Sequence, residues 1–279
     1  MQDLGSNLEQ LRRELIGKLL KLSPKRRVKI LTRLLQRNLN VHIAFEDIYD
    51  PHNIMAATRT IDAFGFQHVH IIFNKLAPFD PRKTGKKTSA SANKWLSFHV
   101  YASEVLEKPT GSESGEKLYA RSLVSHNLHR SRPPIQDSSK QPQPIATPAS
   151  VQEFLHFARK NKFTLVATVL DADSQKLPEF TWQPHTKYII LFGNEHAGLS
   201  QELINASDHK IYIPMRGFVQ SLNLSVSVGI VLYDYFAKSS NTSPTDVSAS
   251  VANVVNLVTQ LPPQKLELLQ TWLATPSKL

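Results

Sequence analysis

The chain has 279 residues, 41% of them hydrophobic, with no cysteine and a formal net charge of +10. That is enough apolar material for one large domain or one domain with appendages, and it excludes disulfides, thiolate metal sites and cysteine nucleophiles. No apolar run reaches the length of a bilayer span, and the opening MQDLGSNLEQLRRE lacks the apolar block of a secretory signal, so a cytoplasmic protein without a membrane partner is expected.

The charge is concentrated at one end. The first 40 residues carry ten Lys or Arg against three acids, which is +7 of the total. Leu8, Leu11, Leu15, Leu19 and Leu22 recur at helical spacing. Ser23 and Pro24 then mark the cap and first residue of a second helix, in which Val28, Leu31 and Leu35 continue the pattern. On this second helix Arg26, Lys29, Arg33 and Arg37 fall three and four apart and share a face opposite most of the apolar residues. Solvated helices usually mix the two signs of charge; a face of one sign points to a polyanion such as RNA. A membrane-surface helix would place Trp or Phe on its apolar side, and this one has neither.

From Val41 the pattern becomes α/β. VHIAFE alternates as a strand. DPHNIMAATRTIDAFGF has helix start signals at Asp50 and Pro51, Ile54, Ala57, Ile61 and Phe64 at helical spacing, and a stop at Gly65. HVHIIF is a second strand, and TSASANKWLSFHVY returns to strand character. Residues 107–149, which include SSKQPQPIATP, break the pattern with Gly, Ser, Pro and Gln and predict a flexible insertion. The helix VQEFLHFARKN follows, then the strands FTLVATVL and KYIILFG, a short helix near LSQELINAS, the strand HKIYIP, and a long helix from about Val219 to Phe236. Alternating strands and helices predict an α/β fold, a mostly parallel sheet covered on both faces, with ligands at the carboxyl ends of its strands. The expected organisation is a basic helical extension over 1–40, the α/β domain over 41–236, and a C-terminal linker and helix over 237–279.

The unusual residues gather at those strand ends. In IPMRGFVQSLNLSVSVGIVL, Ser221 and Asn223 stand in the expected first turns of an apolar helix, where Ser and Asn compete with the backbone for hydrogen bonds. YIILFGNEHAGLS ends a buried strand with Gly193, Asn194 and Glu195, then Gly198, a turn in which backbone N–H groups can approach a ligand. It lacks the glycine spacing of a phosphate-cradling loop. His68 and His70, two apart on a strand, could share a face, but no third ligand stands at metal spacing, so no metal is expected. His196 and Ser200 lack the GxSxG elbow that would expose a nucleophile.

Three blocks stand in order: NIMAATRTIDAFG with Asn53 and Arg59, LFGNEHAGLS with Gly193 and Glu195, and IPMRGFVQSLNLSVSVGIVLYDY with Ser221 and Asn223. Together with TSASANKW between the first two, they resemble the three motifs of the SPOUT superfamily of methyltransferases, in the branch of TrmH-like RNA ribose 2′-O-methyltransferases. The resemblance covers roughly Val41 to Phe236 outside the insertion. It implies a C-terminal deep trefoil knot that binds S-adenosylmethionine, and a homodimer. Carried over residue by residue, it implies that Thr168, Gly193, Ile213, Met215, Ser221 and Leu222 hold the cofactor, with Arg59 as the catalytic residue and Asn53, Glu195, Ser221 and Asn223 completing the site.

A ribose hydroxyl must lose its proton as it attacks a sulfonium methyl, so the reaction needs a base and in-line geometry. The resemblance implies that Arg59, steered by a substrate phosphate, takes that proton; the alternative is that it only grips phosphate and substrate. The short N-terminal helices, the DPHN entry and the C-terminal KLELLQTWLATPSKL are similar to the tRNA guanosine-2′-O-methyltransferases that modify the D-loop. Ribosomal RNA as substrate, or a noncatalytic RNA-binding role, are the other readings. The tail from Ser239 is neutral, so the RNA grip is expected on Arg26, Lys29, Arg33 and Arg37 and on Arg82, Lys83, Lys86, Lys87 and Lys94.

Overall fold

The computed structural model describes residues 2–76, 78–81, 83, 88–89, 92–102, 149–239 and 253–274. The expected insertion lies outside these residues except for Ala149, as do Arg82, Lys86 and Lys87. In chain order the elements are α1 (Gln2–Leu20), α2 (Pro24–Gln36), β1 (Asn38–Glu46), α3 (Pro51–Ala63), β2 (Phe66–Phe73), β3 (Ser97–Ala102), α4 (Ala149–Lys160), β4 (Thr164–Thr168), β5 (Gln175–Lys176), β6 (Tyr188–Phe192), α5 (Gln201–Ala206), β7 (His209–Tyr212), α6 (Leu224–Ser239), α7 (Val254–Gln260) and α8 (Pro263–Ala274). No helix among the described residues is long and apolar enough to cross a membrane.

Two compact units divide the chain: Met1–Asn38 with Ser239–Leu279, and Leu39–Lys238. The first is helical and joins the two ends of the sequence. Ser23 caps α2, its hydroxyl accepting the Arg26 N–H, and Pro24 fills the first helical position where no N–H is needed. Leu15 and Leu19 of α1 and Ile30, Leu31 and Leu34 of α2 are buried, as are Leu257 and Val258 of α7 and Leu266, Leu269 and Trp272 of α8. Lys265 donates to the Leu35 carbonyl at 2.7 Å, satisfying an acceptor at the open C-terminal end of α2. Arg37 is itself buried, its guanidinium 5.3 Å from the centre of the Trp272 ring. It therefore stands apart from the exposed Lys29 and Arg33 and the half-buried Arg26 of the same helix.

Among the described residues the second unit is built on a seven-stranded parallel sheet of order β3-β2-β1-β6-β4-β7-β5. Alternation along the strands sorts the core into two layers. Val41, Ile43 and Phe45 of β1 face α3 and α6 through Ile54, Ile61, Val228 and Leu232. Ala44, Leu165 and Leu191 face α4 and α5 through Phe154, Leu155 and Leu203. From β1 the chain builds outward to β2 and β3 on one side, and β6, β4, β7 and β5 fill the other. The order reverses between β1 and β6, where an open parallel sheet forms a crevice at its carboxyl edge.

Helix α6 begins at Leu224, five residues later than the apolar pattern predicts. Residues Val219–Asn223 are extended or bent, and Asn223 stops the helix from starting earlier: its side-chain oxygen accepts the Ser225 N–H at 2.9 Å and its carbonyl accepts from Val226 and Ser227. Asn at an N-cap satisfies donors that a helix leaves unpaired, so capping overrides the hydrophobic periodicity of Val219 and Leu222. At its other end Lys238 donates to the carbonyls of Leu177, Pro178 and Phe180 at 2.8 to 3.0 Å and pairs with Asp234, which also accepts from the Trp182 indole.

His68 and His70 share a face, as their spacing predicts, and two further histidines join them. His42 of β1 and His99 of β3 lie beside them beneath Phe154 and Phe157 of α4. The Leu39 carbonyl can only accept, so the His42 Nε2 at 3.2 Å carries the proton and its Nδ1 is an acceptor. His70 Nε2–H then donates to that Nδ1 at 2.8 Å, and the Tyr101 hydroxyl donates to His70 Nδ1 at 3.1 Å. Burial pushes the Tyr101 phenol up, which keeps its proton available. His68 Nδ1 and His99 Nε2 form a second pair at 3.1 Å. Protonating His42 would set its Nδ1–H against the Nε2–H of His70.

Burial, reinforced by the neighbouring histidines, lowers His42 and His70 far below 6.5 and His68 to about 4, so the unfolded chain binds more protons than the folded one below pH 6.5. Stability from this cluster is complete above that value and is lost as pH falls from 6.5 towards 4, by about 2 kcal/mol per buried histidine at pH 5. A melting temperature that falls steeply between pH 7 and 5 is expected, with a shallower fall in a His68→Gln, His99→Gln double variant. Equal slopes for the two proteins in calorimetry would show that the cluster is not the source.

Candidate active site

Three strand ends form the site. β4 ends at Thr168, β6 runs into Gly193–Gly198, and β7 runs into Ile213–Met215; they enclose a cavity of about 220 Å³ at the carboxyl edge of the sheet. All six residues expected to hold a cofactor, Thr168, Gly193, Ile213, Met215, Ser221 and Leu222, line this cavity, and so does Glu195. Thr168 is anchored by its own hydroxyl, which donates to the Leu191 carbonyl at 2.7 Å.

The turn after β6 is tight for a reason that Gly193 makes explicit. A Cβ built there would lie 2.2 Å from the Gly198 carbonyl carbon and the Leu199 nitrogen, so no side chain fits between the two arms. Gly198 closes the turn at φ 70°, a left-handed conformation that glycine adopts without strain. Asn194 holds the turn together. Its backbone exchanges hydrogen bonds with Gly198 at 3.0 and 2.9 Å, its Oδ1 accepts from the N–H groups of His196 and Ala197, and its Nδ2 donates to the Asp47 carbonyl. Sequence reading missed this role, although Asn at the head of a turn is a recognised signal.

Glu195 is thereby presented to the start of α3. Its Oε2 accepts the Tyr49 N–H at 2.9 Å and its Oε1 accepts from Asn53 Nδ2 at 2.9 Å. The Asn53 oxygen accepts in turn from Asn223 Nδ2 at 3.2 Å, and Ser225 donates from both its N–H and its hydroxyl to Asn223 Oδ1. Asn53, Glu195 and Asn223 thus form one hydrogen-bonded row. Asp50 and Pro51 set its position by starting α3 where they do, the Asp50 carboxylate capping the His52 N–H at 2.8 Å. Behind the row Glu46, at the end of β1, accepts the Ser200 N–H at 2.7 Å; its carboxyl is pushed up, chiefly by burial. This carboxylate too went unread in the sequence, because VHIAFE shows only a strand with a charged end.

The remaining candidates lie outside the hydrogen-bonded row. Ser221 is exposed on the cavity rim. Arg59 is exposed on α3, six residues and about 9 Å of helical rise from Asn53, and among the described residues its guanidinium has no partner. Lys94 is exposed, and Lys83 lies 3.5 Å from Asp80.

Known proteins are similar to this chain in sequence and in fold. The chain is 27% identical over 209 residues to a tRNA (guanosine(18)-2′-O)-methyltransferase of Thermus thermophilus, covering 75% of this chain and 80% of that one. It is 24% identical over 213 residues to the protein of the same name in Escherichia coli, covering 76% and 70% respectively. The crystal structure of an Aquifex aeolicus TrmH/SpoU tRNA modifying enzyme superposes with a TM-score of 0.55 at 22% identity, over 90% of this chain and 97% of that one, a likeness of fold. The model of the SpoU rRNA Methylase family matches residues 40–146 and 135–233, which together run from β1 into α6 and take in the three blocks apart from the last two residues of the third, and the chain belongs to that family.

Proposed function

We propose that the protein transfers a methyl group from S-adenosylmethionine to a ribose 2′-hydroxyl of tRNA, at guanosine 18, the nucleotide that its Thermus and Escherichia relatives are named for. The observation that carries this reading is the row Glu195–Asn53–Asn223, which ties the three motifs together at the mouth of the cavity. The cavity suits the cofactor: among the described residues its lining offers backbone groups, hydroxyls and apolar walls, with one carboxylate and no lysine or arginine. Such a lining favours a cationic sulfonium over a phosphate ligand. When bound, S-adenosylmethionine supplies a methyl group activated by that sulfonium. Thr168, Gly193, Ile213, Met215, Ser221 and Leu222 hold it, in the knotted C-terminal part of the domain.

Asn53, Glu195 and Asn223 fix the geometry of the nucleotide, with Ser221 at the rim. Arg59, free of any protein partner among the described residues, grips the substrate phosphate and either receives the 2′-hydroxyl proton or orients the hydroxyl for another acceptor. A homodimer accounts for the exposed apolar stripe of α6, where Val226, Ile230 and Tyr233 share one side. Lys29 and Arg33, with Arg26 beside them, supply phosphate contacts from the helical unit, and Lys83 and Lys94 from the α/β unit. The reading places the protein with its tRNA substrate in the cytoplasm.

Incubation with labelled S-adenosylmethionine and separate tRNA and ribosomal RNA pools, followed by nucleoside mapping, tests the assignment: 2′-O-methylguanosine in tRNA is expected, and label in ribosomal RNA alone would refute it. Arg59→Ala should retain cofactor affinity in calorimetry while turnover falls at least about 100-fold; full activity would remove Arg59 from the mechanism. Neutralising Lys29 and Arg33 should reduce the slope of log affinity against log salt by about two. These two substitutions are preferable to deleting residues 1–40, because deletion would strip α1 and α2 from the apolar faces of α7 and α8.

A further inference from the structure

We infer that Tyr49 and His196 form the platform on which the base of the target nucleotide stacks, an assignment that rests on the RNA methyltransferase reading. The two rings lie 6.0 Å apart at 70°, edge to face, on the rim of the site. Tyr49 is the residue whose N–H binds Glu195, and His196 follows Glu195 in the chain. Their two segments are cross-linked by that bond and by the one from Asn194 Nδ2 to the Asp47 carbonyl, and the His196 N–H is held at 2.8 Å by Asn194 Oδ1. The backbones that carry the rings are therefore fixed to each other.

Nothing in the fold asks for aromatic side chains at these positions. Tyr49 is 37% exposed and His196 is exposed, and among the described residues neither ring makes a side-chain hydrogen bond. Both belong to the segments that hold Glu195 against Asn53, so a ribose presented to that row brings its own base within reach of the rim. An edge-to-face pair keeps ring surface open to a third flat group. A nucleobase in single-stranded or loop RNA is recognised in this way, by stacking on aromatic side chains at roughly 1–3 kcal/mol per base. Stacking is tolerant of base identity, so the pair selects a nucleotide whose base has left its helix.

A cycle of protein and substrate changes tests this, read as equilibrium affinity for a tRNA transcript with or without the target base. Tyr49→Ala and His196→Ala should each weaken binding on the order of tenfold. Removing the base should weaken binding to the natural protein by a similar factor, and should cost nothing further in the two variants. Tyr49→Phe should bind as the natural protein does, and affinity for S-adenosylmethionine should be the same throughout. Independent, multiplying losses would overturn the platform, as would a loss of cofactor affinity or a Phe variant as weak as Ala. A natural protein that labels no RNA would instead defeat the methyltransferase reading, whereas labelling with independent losses defeats the platform alone.

Discussion

One carboxylate joins segments that are far apart in the sequence. Glu195 accepts from the Tyr49 backbone and from the Asn53 amide, 142 residues away, and Asn53 passes the link to Asn223, 170 residues beyond it. Hydrogen bonds to a charged acceptor are roughly twice as strong as neutral ones, so the row begins at its firmest point. It works only because the turn that carries Glu195 has no freedom: Gly193 lets the arms meet and Asn194 closes them. The sheet contributes by ending β4, β6 and β7 at one level, so the row lies beside a cavity instead of over a packed core.

Much of the fold could be read from the sequence because the relevant forces are local. The caps at Ser23 and Asp50, the prolines that follow them and the alternation of VHIAFE all act within a few residues. The residues of the three blocks came from a resemblance of motifs, and the structure adds how Asn53, Glu195 and Asn223 meet. Local signals failed where a side chain served a distant partner. Val219 and Leu222 carry helical periodicity, yet Asn223 is engaged as a cap and with Asn53, and α6 starts after it.

Three further features were illegible for the same reason. The third and fourth histidines of the buried cluster come from β1 and β3, and only the β3-β2-β1 order brings them to His68 and His70. Arg37 continues the basic face of α2 in sequence but is buried against Trp272, 235 residues later, which the spacing of α2 alone could not reveal. The helical ends of the chain read as two separate extensions, and their shared core depends on pairing α1 and α2 with α7 and α8.

The row from Tyr101 through His70 and His42 to Leu39 has a direction, since the tyrosine gives a hydrogen, each imidazole takes one and gives one, and the Leu39 carbonyl takes the last. Its members are consequently interdependent in what can replace them. A glutamine or asparagine at 42 or 70 can copy the give-and-take of a neutral imidazole, whereas a phenylalanine of similar shape would leave a buried donor facing nothing on one side and an acceptor on the other. Tolerated change along this edge of the sheet is therefore expected to come in compensating pairs, across strands that are neighbours in space and 28 to 31 residues apart in the chain.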